Sequence, residues 1–253
     1  MENKFFNFKK ETHFGETGWV ISINDVHRYA LGGKITLPSK YNGEDIIGVG
    51  DFRNMGQVSE VYFQDTETCQ YKFITDNGGF GWDYTETNTY MEPTVRKIEL
   101  PNSIHTIGKK AFVDCYSLVD INLPTSLIEI RDNAFGKGGS LAGVSAWVIP
   151  LAISSLPSSL VTIAYNAFYM CPNITISSLP NSVEYIGQGA FALCDKICIT
   201  SFGSAHGDTS KLAYIGDQAF YAAADEISPA IKEIYIGATV NYVGKEAFYG
   251  YGS

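Results

Sequence analysis

Two stretches decide how the sequence is read: "LPNSVEYIGQGAFALC", Leu179 to Cys194, and "LPNSIHTIGKKAFVDC", Leu100 to Cys115. Working outward from them, the motif I-G-x-x-A-F recurs as "IGKKAF" at Ile107, "IRDNAF" at Ile130, "IAYNAF" at Ile163, "IGQGAF" at Ile186, "IGDQAF" at Ile215 and "VGKEAF" at Val243. Successive copies lie 23, 33, 23, 29 and 28 residues apart. A unit of this length with insertions is the signature of a stacked solenoid, not of a single globular core. L-P-x-S recurs in phase at Leu100, Leu123, Leu156 and Leu179, and "VGDF" at Val49 reads as a degenerate first copy.

Each unit has a physical reading. "KIEL", "DINL", "LAI", "ITI", "ICI" and "EIYI" alternate with period two, as a short strand with one buried face does. Their apolar residues, from Ile98 and Leu100 in the first to Ile234 and Ile236 in the last, are expected to point inward. Proline after "KIEL" and "DINL" ends the strand by removing a ladder donor. A second short extended piece carries the motif isoleucine. Glycine then admits a bend into a turn of helix or 3₁₀, where the small Ala permits close approach and the Phe fills the space. One coil cannot bury its own faces, so each motif Phe should rest on the Phe of the next coil.

The combination L-P-x-S-[VIL]-x-x-I-G-x-x-A-F-x-x-C, with L-x-x-I-x-L-P between copies, resembles the BspA-like class of bacterial leucine-rich repeats. The opening "GGKITLPSKYNGEDIIGVGDF" is similar to that family's usual first unit. The likeness runs from about residue 33 to 249. It implies a right-handed leucine-rich repeat solenoid of the α/β horseshoe class, with short strands, helical or 3₁₀ turns and a curved parallel sheet. It also implies display outside cells for adhesion or protein binding, and no catalysis.

Residues 1–34 are read as a β-rich N-terminal cap, because "WVISIN" alternates like a strand and the first coil has an edge to cover. Residues 35–253 form the solenoid, with an inserted loop at about 64–94. The loop's "GGFGWDY" places Phe80, Trp82 and Tyr84 together, either as a binding tip or as the cluster of a decayed repeat. The final A-F turn stands close to Ser253 with no polar closing unit, so the expectation is either that the chain continues in the natural protein or that docking or oligomerisation occurs at that end.

Composition narrows the partners. The formal charge of −9 makes a nucleic-acid surface a poor expectation. No run is long enough to cross a bilayer as a helix. The N-terminus lacks an apolar segment behind its charges, so the resemblance points to the cell surface while this feature leaves a virion or cytoplasmic setting open. Five cysteines are an odd number and argue against a disulfide framework. Cys115, Cys171 and Cys194 share one phase, three after the motif Phe, where other coils hold Gly138, Ala223 and Tyr251. That tolerance marks them as small hydrophobes, not ligands.

Chemistry-bearing constellations are missing. "GGSLAG" around Ser140 fails the nucleophile-elbow pattern, and His206 with Ser204 and Asp208 is only a turn-forming stretch. "TDNGGFGWD" lacks the alternating ligands of a calcium loop, and no zinc spacing occurs. No cofactor and no metal are expected. The residue before each motif Ile points outward and reads Thr106, Glu129, Thr162, Tyr185, Tyr214 and Tyr242. Tyr235 marks the other strand face, after Glu99, Asn122 and Thr175. The tyrosines are candidates for contact with a protein or a glycan. They also suit a self-stacking ladder that only stiffens the rod, which the repeat phase by itself would produce. Three readings follow: a non-enzymatic protein-binding or adhesion module, a structural component of a larger assembly such as a virion or fibre, and a carbohydrate-binding accessory module.

Overall fold

The computed structural model describes residues 6–23, 33–49, 60–65, 71–75, 91–92, 95–113, 115, 118–136, 149–203, 209–222 and 233–251. The first elements are β1 (Phe6–His13), β2 (Glu16–Ile23), β3 (Gly33–Thr36), β4 (Lys40–Tyr41) and β5 (Glu44–Val49). Next come β6 (Glu60–Asp65), β7 (Tyr71–Thr75), β8 (Met91–Glu92) and β9 (Val95–Glu99). The remaining strands have two residues each: β10 (Thr106–Ile107), β11 (Asp120–Ile121), β12 (Glu129–Ile130), β13 (Thr162–Ile163), β14 (Tyr185–Ile186), β15 (Ser201–Phe202), β16 (Tyr214–Ile215), β17 (Tyr235–Ile236) and β18 (Tyr242–Val243).

The motif isoleucines build the main sheet. It has ten strands in the order β1-β2-β5-β10-β12-β13-β14-β16-β18, with β4 paired to β5. From β5 onward along that order the pairs are parallel and in motif register, Val49 to Ile107 and so on to Ile215 beside Val243. The degenerate copy at Val49 is therefore a true first coil. A second, shorter parallel row on the other side of the coils contains β3, β9 and β11, then β15 and β17.

The core is a column of rings. Phe112, Phe135, Phe168, Phe191, Phe220 and Phe248 stack in sequence at centroid separations of 5.3, 5.2, 5.2, 5.3 and 5.5 Å, with interplanar angles of 17° or less. Beside them lie the buried motif alanines and isoleucines, all in one continuous apolar cluster. The serine of L-P-x-S also has a mechanical role. Ser126, Ser159 and Ser182 each donate to a carbonyl one coil earlier, those of Ile104, Leu127 and Leu160.

Among the described residues there is no helix, so the expected helical or 3₁₀ turn after Gly is replaced by something else. Alternate N–H groups close turns within the coil, as Ala167 to the Ala164 carbonyl and Tyr169 to that of Asn166. The intervening N–H groups of Asn166, Phe168 and Met170 donate to the next coil, to Gln188, Ala190 and Ala192. A regular helix would direct its N–H groups along its own axis and not across to the next coil. The staircase needs a left-handed residue just before the motif Ala, and φ is +59° at Lys110, +53° at Asn133, +50° at Asn166, +62° at Gly189, +53° at Gln218 and +55° at Glu246. Only one of those six is glycine, the residue that adopts this conformation without strain.

The two ladders have opposite polarity. On the strand side a coil's N–H groups point back, Gly216 to the Ile186 carbonyl and Gly244 to that of Ile215. On the turn side they point forward, Gln218 to the Lys245 carbonyl and Phe220 to that of Ala247.

Three expectations need correction. Thr106 is fully buried, not outward-exposed: its register partner Gly48 lies under the His13 ring and Val20 of the N-terminal hairpin, which fold over this end of the sheet face. "EIYI" stacks three residues off the expected phase, Tyr235 on Ser201 and Ile236 on Phe202 instead of on the "ICI" segment. The cause is the extra extended residues after Ile199, which put the Phe202 ring edge-on against Phe220 and Phe248. Ile234 and Ile236, expected to point inward, are 37% and 38% exposed.

The antiparallel hairpin β1–β2 extends the sheet past the first coil through β2 pairing with β5. Phe8 stacks on Tyr41 and Trp19 meets the same ring edge-on, which anchors the hairpin. Overlapping the expected insertion and starting just before it, β6, β7 and β8 form a separate antiparallel sheet. Phe80, Trp82 and Tyr84 lie outside the described residues, as do Ser140, Ser204, His206 and Asp208.

Candidate contact surface

The strands β14, β16 and β18 bring three of the candidate tyrosines together. Their inward neighbours Ile186 and Ile215 are fully buried, and period two turns Tyr185, Tyr214 and Tyr242 to the outside. Tyr185 and Tyr214 stack at 4.7 Å and 10°, and Tyr214 and Tyr242 at 4.7 Å and 11°. Tyr185 and Tyr242 are 39% and 45% exposed, with Tyr214 half-buried between them. Tyr235 is 46% exposed but belongs to β17 in the other strand row, so it is not part of this column. Of the residues once grouped with Tyr235, Asn122 spends its amide on the Leu100 backbone, accepting from N at 2.7 Å and donating to O at 2.8 Å.

The outward face changes along the rod. Hairpin residues cover it near β5 and β10. It is polar at Glu129 and Thr162, then aromatic over the last three coils. Asp217 sits beside the aromatic end: its Oδ1 accepts from the Lys245 N–H at 2.9 Å and from the Tyr242 hydroxyl at 3.3 Å. Its negative charge, ahead of partial burial and Tyr214, raises the Tyr242 phenol above its ordinary value. The Tyr185 phenol is raised mainly by burial, with Tyr214 and Asp132 adding to it. Glu184 and Lys211 form an exposed ion pair at 3.6 Å next to the column.

A stacked column has limited chemistry. Tyr214 has a neighbour on both ring faces, so what it offers outward is its edge and its hydroxyl. Among the described residues, Tyr185 and Tyr242 each stack on one ring, that of Tyr214. The surface is thus a row of amphipathic edges with hydroxyl groups about one strand spacing apart.

A second aromatic pair was not foreseen. Tyr221 and Tyr249 stack at 5.1 Å and 9° on the turn side, and Tyr249 is exposed. The signal was available in "AFYM", "AFYA" and "AFYG", where Tyr169, Tyr221 and Tyr249 each follow the motif Phe. Exposed Tyr165, two after a motif Ile, was missed for the same reason: only one outward column had been sampled.

The cysteine phase is structural. Cys171 and Cys194 are buried, and the Cys194 thiol donates to the Phe168 carbonyl one coil earlier at 3.0 Å. Burial pushes both thiols up, which keeps them protonated and unreactive. In the last coil Tyr251 takes this position, stretching inward to donate to the Ile199 carbonyl at 2.9 Å. Among the described residues no group of three His, Cys, Asp or Glu side chains could hold a metal ion. Also among them, no helix is long and apolar enough to cross a membrane.

Comparison with known proteins agrees with this architecture. The family model described as BspA type leucine rich repeat region matches residues 84–146 and 148–253 in six copies. Among solved structures, the chain is similar to a leucine rich repeat protein of T. pallidum, with 25% identity and a TM-score of 0.52, covering 86% of this chain and 75% of that one. It is also similar in fold to a leucine rich cell surface protein of Faecalibacterium prausnitzii A2-165, with 17% identity, a TM-score of 0.53 and coverage of 96%. The chain spans only 52% of that protein's length. The search of curated proteins gives no match. With its phased coils, its Phe column and a family match over most of its length, the chain belongs to the BspA-type leucine-rich repeat family.

Proposed function

We propose that this chain is a non-enzymatic binding module that grips another protein through the outward edge of the Tyr185–Tyr214–Tyr242 column. The observation that carries the reading is the aromatic end of an otherwise polar sheet face, held rigid by 4.7 Å stacking. Rigid tyrosines give broad contact at low entropic cost, and hydroxyl rows suit the backbone and side-chain acceptors of a polypeptide. Adhesion outside the cell is part of this reading, supported by the family resemblance.

The stacking weighs against a glycan platform. A sugar ring packs on an aromatic face, and here the faces of Tyr214 are occupied by its neighbours. Tyr235, on the other row, and Phe80, Trp82 and Tyr84 stay secondary candidates for contact.

The test is selection of a phage-displayed peptide library on the wild-type chain. Selected peptides should lose at least about tenfold in affinity, or 1.4 kcal/mol, on the Tyr185→Ala/Tyr214→Ala/Tyr242→Ala variant. Peptides that bind both proteins equally would refute the assignment. A glycan array with wild-type binding lost in the same variant would favour the carbohydrate reading instead.

A further inference from the structure

Beside the tyrosine column runs a second one, made by the residues two after each motif residue. Its backbone is in step: the N–H groups of Asn133, Asn166 and Gly189 donate to the carbonyls of Tyr165, Gln188 and Asp217. Asp132, Tyr165, Gln188 and Asp217 therefore stand one above another on the four consecutive coils of β12, β13, β14 and β16. The two columns touch where the Tyr242 hydroxyl donates to Asp217 Oδ1 at 3.3 Å. Coils lie on both sides of this span, that of β10 before it and that of β18 after it. The carboxylates around it are not alike. Glu129, Asp132 and Glu184 have side-chain partners in Arg131 at 2.8 Å, Lys109 at 3.5 Å and Lys211 at 3.6 Å. Among the described residues Asp217 has no cationic partner, and only its Oδ1 is engaged. The Asp132–Lys109 pair is exposed and long, so water already competes for it and a partner's cation can displace it. The phenols respond to these carboxylates: Asp217 is the main cause of the rise at Tyr242, and Asp132 adds to burial and Tyr214 at Tyr185. The chain as a whole carries −9.

We propose that the partner gripped by the tyrosine column is an extended cationic segment of polypeptide, with Arg or Lys side chains four residues apart that seat on Asp132 and Asp217. This rests on the binding role given to the column above and names the class of its partner. Spacing and charge carry it together. Asp132 and Asp217 are three coil steps apart, about 14 Å at about 4.8 Å per step. In an extended strand four residues span about 13 Å, and residues i, i+2 and i+4 share one face. A basic pair at i and i+4 thus meets both carboxylates, while the i+2 side chain lies between Tyr165 and Gln188, both exposed. Exposed Lys109 and Lys245 border the span by one coil on either side, so cations spaced more widely meet like charge. An anionic segment meets like charge at the two aspartates themselves.

The experiment is fluorescence anisotropy of labelled peptides titrated with the whole chain. The peptides share one composition, threonine and valine with two arginines, and differ only in placing the arginines two, three or four residues apart. The four-residue spacing should bind at least about fivefold tighter than the others. Asp132→Asn and Asp217→Asn should each remove that preference, and raising the salt should weaken wild type more than the double variant. Asparagine at 217 still accepts from the Lys245 N–H and the Tyr242 hydroxyl, so the column keeps its support. Asp120→Asn, in the other strand row, should bind as wild type does. No binding by wild type, or binding indifferent to spacing and to both aspartates, overturns the cationic class. In the second case, loss of binding in Tyr185→Ala/Tyr214→Ala/Tyr242→Ala still upholds the column as the contact surface. Spacing-dependent binding that ignores the three tyrosine changes overturns the column reading, and this proposal with it.

Discussion

Replacing Phe168 by Ala tests the stacking account in energetic terms. Phe168 is fully buried, with Phe135 at 5.2 Å and 4° on one face and Phe191 at 5.2 Å and 10° on the other. Truncation removes contacts to both neighbouring coils at once, and the backbone cannot collapse inward because the Phe168 N–H is bonded to the Ala190 carbonyl and that of Phe135 to the Ala167 carbonyl. The cost is expected at the full value for a buried Phe→Ala change, about 3–5 kcal/mol. For a chain of this size that corresponds to a fall in Tm of roughly 6–20 °C. Phe248→Ala is the internal control: it has one stacked neighbour, Phe220 at 5.5 Å, and is only partly buried. It should cost less than half as much, and in a quasi-one-dimensional array it should fray the last coil without splitting the stack. Thermal and urea unfolding followed by circular dichroism, with amide exchange to locate the loss, measures both. Equal costs at the two positions, or a Phe168→Ala cost below about 1 kcal/mol, would refute the reasoning.

Three further outcomes are expected. Ser182→Ala loses a 2.6 Å bond to the Leu160 carbonyl and should cost about 1 kcal/mol in urea unfolding, whereas exposed Ser177→Ala should be neutral. Gln218→Val forces a β-branched side chain to φ +53° at an exposed site and removes the bond its amide donates to the Glu246 carboxylate at 2.8 Å, and should destabilise by about 1–2 kcal/mol. Gln218→Ala, which loses the same bond without adding a branch, should cost less. The Tyr242 phenol is raised by Asp217, so its contribution to stability is present below the ordinary tyrosine range and is lost as pH rises through the raised value. Asp217→Asn should lower the alkaline midpoint of Tyr242 in a spectrophotometric titration that uses Tyr242→Phe to assign the signal.

The motif phase was enough to place the six-ring column, the parallel register of β10 to β18 and the degenerate first coil at Val49. These depend on local repetition, which a single sequence displays directly. What periodicity does not contain is what lies over a residue. Val243, Ile234 and Ile236 have the pattern of core positions, yet they are exposed among the described residues. Thr106 has the pattern of a surface position and is buried because a hairpin some ninety residues earlier returns to cover it. The staircase of turns was read as helix because the alternation of inward and forward N–H groups is a property of two coils together. The shifted register of β17 follows from Phe202, a large ring outside the repeat that no motif announces. Of the candidate site, the phase gave Tyr185, Tyr214 and Tyr242. That their faces are mutually covered, which decides between edge and face recognition, required the 4.7 Å geometry.

The central claim is that coils sharing a motif phase lie one above another, and a spin-label distance tests it most directly. Lys109 and Lys245 are exposed, each stands two after its motif residue, and they are separated by five coil steps. Labels introduced at these two positions through a non-cysteine chemistry should give a narrow distribution centred near 24 Å, five steps of about 4.8 Å. A broad distribution, or a centre displaced by more than about two coil spacings, would contradict the stacked architecture on which the Phe column and the tyrosine edge both depend.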